Sequence, residues 1–191
     1  MGRKEDALAL AWGDFQGNPN EFAYDQLLRY VPRGEKTAWQ KRAMSVAEKA
    51  DLGDFVALCV KAKEWDRLAQ RVHSAKPAEL EGLSHYCSEP AAKVLAKKDL
   101  LAAAKLYRAL GLRIVIAAKS RYYREALEHF EKARDLYRRV GQTLEWAAVV
   151  EIVRRAHFRK SGFLSAFEEI VSGNSEPSPL MSRRRKRSGN G

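Results

Sequence analysis

Cysteine is scarce in this 191-residue chain: Cys59 and Cys87 are its only two, too few for the disulfide framework of a small secreted fold. Long apolar runs are also lacking. The longest, Leu112 to Ala118, is interrupted by Arg113 and falls far short of the ~20 residues that a membrane-spanning helix requires. Met1 is followed by Gly2, Arg3, Lys4, Glu5 and Asp6 rather than by an apolar leader, so the expectation is a cytoplasmic chain without a membrane partner. Sustained alternation of apolar and polar residues is missing too, which argues against strands.

The motifs of common chemistries are equally sparse. His85 and Cys87 stand two apart, but neither Cys-x-x-Cys nor His-Glu-x-x-His accompanies them, so no metal is expected. Cys59 falls on an apolar stripe and His157 at the end of another, as core or core-edge residues do. No Gly-x-Ser-x-Gly, Gly-x-Gly-x-x-Gly or Walker A loop occurs. Asp51 with Asp54 reads as a helix-capping arrangement, and Glu168 beside Glu169 as a solvated helix face. The chain is therefore expected not to be an enzyme, with no cofactor and no evident small-molecule substrate.

What is present is helical periodicity. Apolar residues recur at i, i+3, i+4 and i+7 almost throughout, the spacing that lines one face of a helix. Successive stripes carry Leu8, Ala11, Trp12 and Phe15; Tyr24, Leu27, Leu28 and Val31; and Trp39, Ala43, Val46, Ala47 and Ala50. Asp51 is the expected N-cap of a fourth helix bearing Phe55, Val56, Cys59 and Val60. Shorter helices are expected around Leu68 and Val72, around Leu80 and Leu83, and after Pro90. One long helix should run from Leu100 to Ala118, because its stripe stays in phase across Gly111. A mid-helix glycine costs about 1 kcal/mol relative to alanine, and at Gly111 it would let a neighbouring backbone approach closely. Ser120 is expected to cap the next helix, and Gly141 to close it. Helices with Trp146, Val149, Val150 and Val153, and with Phe163, Phe167 and Ile170, complete the series up to Gly173. The Ser-, Pro- and Arg-rich residues beyond it have little to bury and are expected to be disordered.

Charge is divided unevenly. Residues 1–95 hold 14 Lys/Arg against 14 Asp/Glu, whereas residues 96–191 hold 21 against 10, so the whole net charge of +11 lies in the C-terminal half. Such asymmetry points to an acidic or polyanionic partner, or to a solvated basic surface.

Two segments echo each other at a spacing of 30: AAKLYRALG (103–111) and ARDLYRRVG (133–141). YYREALEHFEKARDLY (122–137) resembles the second helix of a tetratricopeptide repeat, with small Ala126, large Phe130 and small Ala133. Small residues let helices cross closely while the aromatic fills the gap. More broadly, ALALAWGDF (7–15), LLRYVP (27–32), SHYCSEPAAKVL (84–95), LYRALGLRI (106–114), KSRYYREAL (119–127) and HFRKSGFLSAFEEIVSG (157–173) resemble an uncharacterised bacterial helical-repeat family. That family is often seen as the C-terminal region of SWIM zinc finger proteins. The finger's Cys-x-Cys and Cys-x-His are absent here, so no zinc or DNA role is carried onto these residues. The resemblance implies an all-α, right-handed stack of antiparallel hairpins, a TPR-like α-solenoid of about ten to eleven helices. Its divisions would be degenerate hairpins over 1–83, the repeat region over 84–172 and the basic tail over 173–191.

Two functions follow as expectations. The first is a scaffold binding a protein or peptide between stacked hairpins, with Tyr107, Tyr122, Tyr123 and Arg124 as surface contacts. The second is a nucleic-acid-binding accessory using basic residues. Arg154, Arg155, His157, Arg159 and Lys160 gather where one helix gives way to the next, near free N–H groups that favour anions. Arg183, Arg184, Arg185, Lys186 and Arg187 form a denser patch.

Overall fold

Capping chemistry and glycine breaks divide the chain into helices close to where the periodicity places them. A computed structural model describes residues 2–157 and 161–173. Eleven α-helices, and no strand, occur among the described residues: α1 (Gly2–Gly17), α2 (Glu21–Tyr30), α3 (Lys36–Ala47), α4 (Leu52–Ala62), α5 (Trp65–Ser74), α6 (Pro77–Gly82), α7 (His85–Leu95), α8 (Leu100–Ile116), α9 (Tyr123–Arg139), α10 (Thr143–His157) and α11 (Ser161–Ser172).

Asp51 caps α4 as expected, its Oδ1 accepting from the backbone N–H of Gly53 (2.7 Å) and Asp54 (3.2 Å). Side-chain caps that were not anticipated include Asn20, which accepts from Ala23 N–H at 3.0 Å, and Asp99, which accepts from Ala102 N–H at 2.9 Å. Ser120 is not an N-cap. Ser120–Tyr122 forms a 3-10 turn, and α9 begins at Tyr123 without a side-chain cap. Gly141 ends α9 at φ 72°, a conformation that disfavours side chains, and Gln142 N–H bonds back to the Tyr137 carbonyl at 2.9 Å.

Helix α7 starts earlier than expected and takes Pro90 into its interior. Ser84 opens it, its hydroxyl accepting from Tyr86 N–H at 3.4 Å. Because proline has no N–H, the Tyr86 carbonyl loses its usual intrahelical donor.

A single apolar core runs from Trp12 to Ile170. Its best-interlocked part is the hairpin of α8 and α9, the most extensive helix pairing in the fold. Ala126, Phe130 and Ala133 are all fully buried there. Gly111 lies inside α8, and the group that approaches it is the Phe130 ring rather than a backbone. A Cβ on Gly111 would lie 2.8 Å from two atoms of that ring. Behind it, Phe163 and Phe167 of α11 complete an aromatic cluster, with the Phe130 and Phe167 centroids 5.2 Å apart.

Several C-terminal cations are held internally. Arg134, 6% exposed, donates to the Ile170 carbonyl (2.6 Å) at the end of α11 and to Asp135 (2.8 Å). Arg138 donates to the Val171 carbonyl at 3.3 Å, so α9 supplies the caps of α11. Arg108 meets Glu81 at 2.6 Å and tethers α8 to α6. Part of the basic excess therefore serves the fold.

At the opposite end, Trp12 of α1 meets Trp39 of α3 edge to face at 5.4 Å, with the Arg42 guanidinium 4.2 Å and 4.9 Å from the two ring centroids.

Candidate functional site

The packing of α7, α8 and α9 opens a groove of about 640 Å³ whose floor is one helix and whose walls are two others. Helix α8 supplies the floor through Leu110, Arg113 and Ile114, with Ala117 just past its C-terminus. On one wall stand His85, Tyr86 and Glu89 of α7. The other is built by Tyr122 of the 3-10 turn and by Glu125, Glu128, His129 and Lys132 of α9, with Lys119 at the bend. Leu110 is buried, but the other apolar and aromatic groups are open to solvent: Tyr86 is 82% exposed, and Ile114 and Tyr122 are half-buried.

Groove electrostatics are set by which charges are already matched. Lys93 meets Glu89 at 2.7 Å and holds its carboxyl below the usual range, with the charge of Lys132 acting in the same direction. Glu128 pairs with Arg124 at 3.5 Å. Among the described residues no carboxylate forms an ion pair with Arg113, Lys119 or Lys132. Lys132 instead lies 5.3 Å from the Tyr107 ring centroid. His129 is driven down to about 4 by burial, with Lys132 adding to the shift, so it is neutral at physiological pH. Its Nδ1 is buried without a hydrogen-bond partner, while its ring stacks on Tyr107 at 5.9 Å.

On the far side of Tyr86 lies a second cleft of about 590 Å³, and its charge is different. Glu21, Asp51, Asp54 and Glu79 line it, with no lysine or arginine among the lining residues. The hydrogen bond between the Asp51 and Asp54 carboxyls splits their behaviour. Asp54 is pushed up to about 6 by that bond, with burial and the charges of Asp51 and Glu21 adding, while Asp51 is held down. The pair is still the capping arrangement expected of it. Tyr86 is the ridge between the two clefts.

The expected contact residues divide. Tyr122 lines the groove, and Arg124 is exposed on its outer side. Tyr107, however, is only 4% exposed and belongs to the α8–α9 seam, so it is not a surface contact. Tyr123 packs on Phe163 at 5.0 Å and is chiefly a packing residue. The basic cluster is altered as well. Arg154 is engaged by Glu168 through two bonds of 2.7 Å and lies 3.4 Å from Glu151, so its guanidinium is already matched. Arg155 is exposed on α10. The side chains of His157, Arg159 and Lys160 lie outside the described residues, as do Arg183, Arg184, Arg185, Lys186 and Arg187. The groove residues Arg113, Lys119, Lys132 and Glu89 went unnoticed in the sequence, where they sit on four separate segments without a shared pattern.

Other chemistry is sparse. Cys59 is fully buried, which pushes its thiol up to about 12. Cys87 is likewise raised by burial and donates to the Ser84 carbonyl at 3.1 Å. Among the described residues no three His, Cys, Asp or Glu side chains gather as a metal site would require. No helix among them is long and apolar enough to cross a membrane.

Residues 1–166 match a family of unknown function, DUF6880, and the chain belongs to that family. No curated protein and no solved structure matches it.

Proposed function

We propose that this DUF6880 member is a non-enzymatic, cytoplasmic helical-repeat scaffold that binds a partner polypeptide along the α7–α8–α9 groove. One observation carries this reading: the groove is open, with α8 as its floor and α7 and α9 as its walls, and Ile114, Tyr86 and Tyr122 in its lining remain within reach of solvent. The α8–α9 hairpin, with small residues flanking Phe130, supports the TPR-like description, and hairpin stacks offer concave surfaces of this kind.

The test is selection of 12-residue peptides from a random displayed library against the full chain, with Ala117→Trp as the blocked comparison. Ala117 is exposed at the end of α8 and faces the groove, so a tryptophan there fills the floor without entering the core. Peptides that bind the natural chain and lose at least tenfold in affinity for the blocked one are expected. Peptides indifferent to the block would remove the groove from consideration.

A second reading, a nucleic-acid-binding accessory, rests on the net charge of +11 concentrated in residues 96–191. Contact with about six phosphates would make affinity fall roughly 10³-fold between 50 and 200 mM salt. Failure of an oligonucleotide to bind at 50 mM would eliminate it.

A further inference from the structure

Resting on the groove reading, we infer that the segment held there is acidic: a peptide whose Asp or Glu side chains meet Arg113, Lys119 and Lys132 while an apolar side chain lies over Ile114 between Tyr86 and Tyr122. The inference comes from which charges the fold satisfies and which it leaves. Two groove carboxylates already have cations, Glu89 with Lys93 at 2.7 Å and Glu128 with Arg124 at 3.5 Å. Both of those cations lie outside the groove lining. Arg113, Lys119 and Lys132 come from the floor, the bend and the α9 wall, so they border the space from three segments rather than share one exposed helix face. An incoming carboxylate finds an unmatched cation at the floor, the bend and the α9 wall. A lysine or arginine entering finds carboxylates that are mostly occupied.

The same arrangement disfavours a polyanion. A nucleic-acid strand presents a phosphate at every step, more than three unmatched cations can meet, and Glu125 in the lining, outside any ion pair among the described residues, would face it unscreened. A peptide can space its acids to face the three cations only. Beyond the Tyr86 ridge the lining turns to Glu21, Asp51, Asp54 and Glu79, which repel further acids and confine the acidic stretch to the groove.

The peptide selection described above supplies the test, with a second variant, Arg113→Glu/Lys119→Glu/Lys132→Glu. Arg113 and Lys119 are exposed and Lys132 is half-buried at the rim, and circular dichroism would establish that the variant is folded. Peptides selected on the natural chain should be enriched in Asp and Glu beside a large apolar residue. They should bind the charge-reversed chain about 30-fold or more weakly, as three rim pairs together imply. Selection on the reversed chain should then yield Lys- and Arg-bearing peptides. Neutral or basic peptides that bind the natural chain and are lost with Ala117→Trp would overturn the acidic occupant while leaving the scaffold reading intact. The absence of any groove-dependent peptide would overturn both. Groove-dependent binding of an oligo(dT) probe without groove-dependent peptides would assign the site to nucleic acid and overturn the inference.

Discussion

Two glycines lie in the middle of helices, and their surroundings are opposite. Gly111 of α8 faces the Phe130 ring so closely that an added Cβ would lie 2.8 Å from it, whereas a Cβ on Gly13 of α1 would meet nothing within 4 Å. The contrast extends to the regions around them. The α8–α9–α11 end is specified by complementary sizes in a sealed interior, with glycine and alanine on one side and phenylalanine on the other. The α1–α3 end is held by rings meeting near the surface and by Arg42 lying over two of them. An identical residue type is therefore a packing requirement at one end and a helix-weakening choice at the other.

The largest expected effect is at Phe130. Phe130→Ala should lower unfolding free energy by about 3–5 kcal/mol in urea titrations, because the ring is fully enclosed by α8 and α11. Gly111→Ala should cost about 1–2 kcal/mol, overpacking outweighing the gain in helix propensity. That cost should shrink or reverse in a Phe130→Leu background, and an unchanged cost would break the size-complementarity account. Gly13→Ala should have the opposite sign and stabilise by roughly 0.5–1 kcal/mol, read as a higher thermal midpoint. Arg42→Gln should lose about 0.5–1 kcal/mol, since its cation–ring contacts are exposed.

The smallest effect concerns pH. Asp54 is raised to about 6 in the folded chain, so it contributes stability that is present below the ordinary carboxylate range and is lost as pH rises through about 6. Asp54→Asn should flatten that decline between pH 4 and 7 in denaturation profiles. Asp51 is held low and acts in the other direction, its contribution fading only as pH falls below the ordinary carboxylate range.

Much of the helical framework was legible because burial repeats along the chain. Phe130 between Ala126 and Ala133, Asp51 as a cap and Gly111 inside a continuous helix all depend on neighbours a few residues away. Pro90 misled the placement of α7: proline usually marks a boundary, but here Ser84 opens the helix before it and packing against α4 and α8 carries it through. Ser120 looked like a cap, yet the chain first tightens into a 3-10 turn. Tyr107 was already in phase with the buried stripe of α8, and its burial follows from that phase.

The groove was less legible for a different reason. Arg113, Lys119, Lys132 and Glu89 become neighbours only when α7 and α9 settle on either side of α8. No local pattern records that meeting. The total basic charge was plain, but its division between internal use at Arg108, Arg134, Arg138 and Arg154 and external availability at the groove depends on partners up to 36 residues away.

Helix α8 touches α5, α6, α7, α9 and α10, not merely its neighbours in the chain. In a stack where each hairpin contacts only the next, the two ends can melt separately and folding propagates like a row of dominoes. A spine shared by five helices joins their fates instead. Loss of α8 would expose apolar surface on both sides at once, so amides of α7, α8 and α9 should exchange with solvent in one concerted opening. Backbone that holds the groove walls would then be among the last to yield as the chain unfolds.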